Sequence, residues 1–126
     1  MAKRDLSGAV DFAYLERYAG GDAALIEEVL GLFRQQVEIW LRLLDPAAED
    51  DAWRDAAHSL KGSALGIGAF ALADECEAAE RTLEADLGQR TVLLGHVHTA
   101  MDAALADIAA YSHEQALQSL KGGSAA

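Results

Sequence analysis

The amino-acid sequence predicts an all-α protein: an antiparallel four-helix bundle with an additional short N-terminal helix. Three observations carry that expectation. Apolar residues recur at three- and four-residue steps through most of the 126 residues, and strand-like alternation is absent. The chain is 52% hydrophobic with a single proline, a composition suited to a compact helical core. Asp, Gly and Pro punctuate the periodic stretches, leaving four long segments with short connections after one short segment.

Each element has its own signals. Asp11 can cap a short helix carrying Phe12, Leu15 and Tyr18, which Gly20-Gly21 terminates. Asp22 then caps a long second helix with apolar Leu25, Ile26, Val29, Leu32, Phe33, Val37, Trp40, Leu41 and Leu44, and Asp45-Pro46 stops it. Glu49, Asp50 and Asp51 suit the positive end of a third helix starting near residue 51. That helix should bend or end around Gly66–Gly68. A fourth is expected from about Ala69 to Leu87, striped by Leu72, Cys76, Ala79 and Leu83, with Gly88 as its stop. The fifth should begin near Arg90 and use Leu94, Val97, Met101, Leu105, Ile108 and Tyr111. Residues 1–10 are expected to be a flexible N-terminus and 11–112 the bundle domain. Residues 113–126 are expected to be a helical extension ending in a flexible GGSAA tail.

Composition narrows the function. A net charge of −11 disfavours nucleic acid and anionic membranes as partners. No apolar run approaches the ~20 residues of a membrane span, and the N-terminus lacks the apolar centre of a signal peptide. Cys76 is the lone cysteine, so no internal disulfide can form and a reducing cytoplasm is the expected location. It falls on an apolar stripe and reads as inert core. No glycine pattern forms a cradle for ATP or a dinucleotide. His96 and His98 are two residues apart and do not share a helix face, so with His113 they make no metal site. The four residues SLKG recur at 119–122, but Gln118 stands where the first copy has a histidine.

That first copy lies in AAHSLKGSALGIGAF, residues 56–70. A glycine inside a helix costs roughly 1 kcal/mol relative to alanine, so Gly62 beside His58 needs a reason. On a helical wheel Trp53, Ala57, Leu60, Ala64 and Ile67 form the core side of the third helix. Arg54, His58, Lys61, Gly62 and Leu65 fall on another stripe, predicted to face solvent. A neutral imidazole keeps a free lone pair on one ring nitrogen, and its ordinary pKa of ~6.5 leaves much of it neutral at pH 7. A phosphoryl group received there would bring negative charge that Lys61, one turn away, could stabilise. Gly62 would leave room for a donor and acceptor in line with the phosphorus.

The segment from His58 through Lys61-Gly62 to Ala64, with Gly68 after it, resembles the histidine-containing phosphotransfer (HPt) domain signature of two-component phosphorelays. The resemblance spans about residues 12–111, with its specific part at 57–80. It implies a four-helix bundle with an extra N-terminal helix. It also implies that His58 accepts a phosphoryl group from an aspartate of one response-regulator receiver domain and passes it to another. On that resemblance Lys61 is the phosphate-stabilising cation and Glu80 the carboxylate orienting the imidazole, leaving Nε2 as the nucleophile. Glu80 lies among Glu77, Glu84 and Asp86, so a solvated acidic face is the competing reading. Arg54, Gly62 and Leu65 are the expected partner-binding residues.

Two departures stand out: Gly66 replaces an Asn common in the family, and Glu80 replaces the frequent Gln. Glu80 is similar to the phospho-accepting domain of chemotaxis-type kinases, where an ATP-binding domain is the donor. The donor is therefore either a receiver, such as that of a hybrid histidine kinase, or a kinase domain. A non-catalytic helical adaptor binding receivers is the alternative from a different class. The expected carrier is a monomer with no cofactor of its own and no ATP site. The Mg²⁺ that an accepting aspartate needs belongs to the receiver.

Overall fold

The structure, a computed structural model, describes residues 7–82 and 86–125. Residues 1–6 and Ala126, from the expected flexible ends, and Leu83, expected on the fourth stripe, lie outside the described residues. Five helices follow in order: α1 (Phe12–Tyr18), α2 (Ala23–Leu43), α3 (Asp50–Ile67), α4 (Phe70–Arg81) and α5 (Leu87–Ala125). The described residues contain no strand. Short connections return α2, α3, α4 and α5 against one another as the bundle, and α1 packs on α2 and α3.

The predicted starts are present. The Asp11 carboxylate accepts from the Tyr14 N–H at 3.0 Å, and the Asp22 carboxylate from the Leu25 N–H at 3.1 Å. Gly20 and Gly21 turn the chain after α1 with φ of 65° and 77°. At the end of α3, Gly68 adopts φ +81°, and its carbonyl accepts from the Asp11 N–H at 2.9 Å. A Cβ there would stand 3.0 Å from the Asp11 carbonyl oxygen and 3.1 Å from the Tyr14 ring. Gly68 thus ends one helix and receives the start of another. Phe12 completes the seating of α1 by stacking on Tyr111 of α5, with ring centroids 4.2 Å apart.

The core contains the predicted side of α3, namely Trp53, Ala57, Leu60, Ala64 and Ile67, together with Leu72, Cys76 and Ala79 of α4 and Val97, Met101, Ile108 and Tyr111 of α5. Leu94 and Leu105 pack against it from partly buried positions. In α2 the buried stripe is Ile26, Leu30, Phe33 and Val37. Leu25 and Leu32, expected on the apolar side, are instead exposed, because they lie on the next stripe round the helix. Tyr18, at the end of α1, is exposed as well.

Four boundaries depart from expectation. Helix α4 ends at Arg81, where Thr82 leaves helical geometry and its hydroxyl donates to the Ala78 carbonyl at 2.6 Å. Gly88 stops nothing; it lies in the first turn of α5. That turn is set by a capping box in which the Asp86 carboxylate accepts from the Gln89 N–H (2.7 Å) and Gln89 Oε1 accepts from the Asp86 N–H (3.2 Å). Residues 7–10 are not a flexible lead. The buried Asp107 carboxylate accepts from the Ser7 and Ala9 N–H groups, both at 2.9 Å, and Val10 is buried. At the other end, α5 stays helical through Ala125, across most of the expected flexible tail. Propagating an existing helix adds one hydrogen bond per residue and needs no new nucleus.

Below the middle of α3 a polar arrangement pins three helices. The Trp53 indole N–H donates to the Ala79 carbonyl at 2.8 Å. The Arg90 guanidinium lies 5.1 Å from the Trp53 ring centroid, donates to the Ala48 carbonyl at 2.8 Å and pairs with Asp50. Among the described residues, no helix is long and apolar enough to cross a membrane.

Candidate functional site

Helix α3 divides into a buried side and an open side, as the wheel predicts. His58 stands outward with 67% of its side chain exposed, and Leu65 and Gly62 are exposed on the same face. Lys61 is more covered, at 22%, because its chain lies along the α3–α4 junction.

What covers Lys61 also organises the histidine. Glu80, on α4, brings one carboxylate oxygen to each: Oε2 lies 2.8 Å from His58 Nδ1, and Oε1 lies 2.7 Å from Lys61 Nζ. The solvated-acidic-face reading of Glu80 is therefore not what the geometry shows; its side chain is only 20% exposed. The hydrogen bond from the Lys61 ammonium holds the Glu80 carboxyl below its ordinary pKa, with a smaller contribution from His58. The same bond raises Lys61 above its ordinary value. An ionised carboxylate can only accept, so His58 Nδ1 must carry the proton in this contact. In the neutral imidazole the lone pair is then on Nε2, on the side away from Glu80. Lys61, expected to face an incoming phosphate, is thus also the group that keeps the orienting carboxylate charged.

The space beside the imidazole is open. A Cβ on Gly62 would meet nothing within 4 Å, and the same holds at Gly66. These two glycines line a groove between α2 and α3 with Val29, Phe33, Gln36, Ser63 and Ile67. Ser63 donates to Gln36 across its floor at 3.4 Å. Leu65 on α3 and Leu32 on α2 add exposed apolar surface to this side of the molecule. Leu32 is a contact candidate that the sequence reading mistook for core. The signal was present, since Leu25, Leu32 and Ile39 repeat every seven residues beside the buried stripe.

Other predicted residues fall apart from the histidine. Arg54 lies one turn before His58 and pairs with Asp51. Cys76 is fully buried, and burial pushes its thiol up to about 12, the behaviour of inert core. His96 faces Glu75 at 3.7 Å, and the described residues hold no group of three or more side chains able to bind a metal together. The arrangement at His58 orients the ring through Nδ1 and leaves Nε2 open to a group approaching from solvent.

Comparisons with known proteins find relatives of this chain. The family model for the Hpt domain matches residues 23–111. The crystal structure of histidine phosphotransferase ShpA from Caulobacter crescentus is 51% identical over 90% of this chain and 99% of its own, with a TM-score of 0.71. No protein of curated function matches significantly.

Proposed function

This chain belongs to the Hpt domain family, the phosphotransfer carriers of two-component phosphorelays, and from that premise we propose that His58 Nε2 is the atom that carries the phosphoryl group. The observation that carries the assignment is the contact of His58 Nδ1 with an ionised Glu80 at 2.8 Å, which leaves the Nε2 lone pair free. In the transfer that lone pair attacks the phosphorus of an aspartyl phosphate on a receiver domain. The bond from phosphorus to the aspartate oxygen breaks, and the aspartate leaves as a carboxylate. The ring, still protonated on Nδ1, gains positive charge, which Glu80 stabilises as buried carboxylates do for catalytic imidazoles. Lys61 holds Glu80 ionised and places a cation one turn from the arriving phosphate. The reverse attack, by a second receiver's aspartate, returns the imidazole to its starting state.

The receiver docks over the open face of α3, with Leu65 and Leu32 at the centre of the contact and Arg54 at its rim. Gly62 allows the approach. The Mg²⁺ that aspartyl phosphate chemistry uses comes with the receiver. Acceptor, cation and orienting carboxylate all belong to one chain, so the carrier works as a monomer. Its charge of −11 fits protein partners in the cytoplasm rather than nucleic acid or anionic membrane. Incubation with a phosphorylated receiver should yield an acid-labile, alkali-stable label on the wild type and none on His58→Gln. Acid-labile label on His58→Gln would refute the assignment.

A further inference from the structure

We propose that Trp53 is a positioning residue of the site: its indole N–H holds the end of α4 where Glu80 can meet His58. Trp53 is fully buried on the same helix as His58, five residues earlier. Its Nε1 donates at 2.8 Å to the carbonyl of Ala79, the residue immediately before Glu80.

The position of that carbonyl makes the bond specific. Helix α4 ends at Arg81, so its last carbonyls lack the N–H partners a continuing helix would supply, and the Ala79 carbonyl keeps only the bent cap bond from the Thr82 N–H at 3.2 Å. Such turns fray unless something else satisfies them. Here the Thr82 hydroxyl takes the Ala78 carbonyl at 2.6 Å, and the indole adds the shorter of two bonds to the Ala79 carbonyl, which it shares with the Thr82 N–H. Glu80 therefore sits in a turn that α4 cannot hold rigid alone. The tie comes from α3, so both ends of the His58–Glu80 contact are referred to one helix. The indole has no freedom of its own, because Arg90 lies over its ring at 5.1 Å and is anchored to the Ala48 carbonyl and Asp50. Any buried indole seeks an acceptor; this one caps the turn that carries the orienting carboxylate.

The transfer readout rests on His58 being the phosphorylated residue, whereas the tautomer readout does not. The tests are Trp53→Phe and replacement of Trp53 by 3-benzothienylalanine, which keeps the ring shape and lacks the N–H. Ring ¹⁵N shifts of His58 should show the Nδ1–H form losing population to Nε2–H in both. Transfer from a phospho-receiver should slow by roughly 10-fold, the scale of losing an outer orienting partner. In a Glu80→Ala background the same Trp53 change should slow transfer no further, since there is no carboxylate left to position. Unchanged tautomers in a folded variant would overturn the proposal, as would a full slowing in the Glu80→Ala background. If Trp53→Phe does not fold, the benzothienyl protein decides. Label retained by His58→Gln would sink the phosphorylation site and leave the tautomer result standing.

Discussion

Gly62 lies within α3 and Gly68 caps its end six residues later, and the two have opposite surroundings. A Cβ at Gly62 would meet nothing within 4 Å, whereas at Gly68 it would press on the Asp11 carbonyl oxygen at 3.0 Å. The backbone at Gly68 is left-handed, while Gly62 sits in ordinary helix. A side chain at Gly62 would meet nothing of this chain, whereas one at Gly68 would meet the protein's own first helix. The backbone and the space around each glycine thus make different predictions for a side chain placed there.

Three experiments can break or sharpen that contrast, and a fourth tests the ion pair that lies beside Gly62. The largest effect is expected from Gly62→Gln. Its side chain would stand in the path of the receiver, and a displacement near 1 Å at the reacting atoms costs about 100-fold in rate. Transfer should fall by that order with an unchanged melting curve; normal transfer, or an unfolded protein, would end the clearance reading. Gly68→Ala should do the reverse. Left-handed strain and two tight contacts together cost about 2–4 kcal/mol, read as a fall of roughly 10 °C in Tm. Transfer per folded molecule should be unchanged below that transition. Gly62→Ala should gain up to about 1 kcal/mol from better helix propensity, and a loss of stability there would place Gly62 with Gly68.

The smallest effect concerns pH. Glu80 is shifted down and Lys61 up by their mutual bond. The stability Glu80 gains is complete above its unfolded pKa of ~4.3 and is lost as pH falls through the lower folded value. The part owed to Lys61 is complete below its unfolded pKa of ~10.4 and is lost as pH rises through the higher folded one. The stability difference between wild type and Glu80→Gln should therefore shrink as pH falls through the folded Glu80 value and as it rises through the folded Lys61 value. A difference that is still constant at pH 2 would show that the ion pair does not form in solution.

Much of this was legible from residue order. Asp11, Asp22 and Gly68 signal their helix ends through local chemistry, and the stripe of Trp53, Ala57, Leu60 and Ala64 is a periodicity read within one helix. Features that depend on a second element were harder. Leu30 and Leu32 are both plausible core by composition, and only the neighbouring helices decide which stripe of α2 is covered. Gly88 has the composition of a stop, yet the reciprocal Asp86–Gln89 bonds make its turn a start. Glu80 could be suspected from the resemblance to the Hpt signature, but its contact with His58 rather than that of Glu77 needs the α3–α4 register. The Trp53–Ala79 bond has no sequence signal, because a buried indole can reach any carbonyl that packing brings to it.

The Asp107 carboxylate, which holds Ser7 and Ala9, joins residues 100 and 98 positions apart. The bundle itself can assemble from neighbours in the chain, α2 with α3, α3 with α4, and α4 with α5. Such local hairpins form quickly, whereas a contact of this separation must wait until the intervening chain is compact. Residues 7–10 are thus expected to close last in folding and to be among the first parts to open. Because α1 rests on Gly68, each opening also loosens the corner where α3 turns into α4. Amide exchange at Ser7, Ala9 and Asp11 should then report a shared sub-global opening, at lower free energy than exchange from the centre of α3. A carboxylate near the far end of the chain thus helps to hold the first described residues in place.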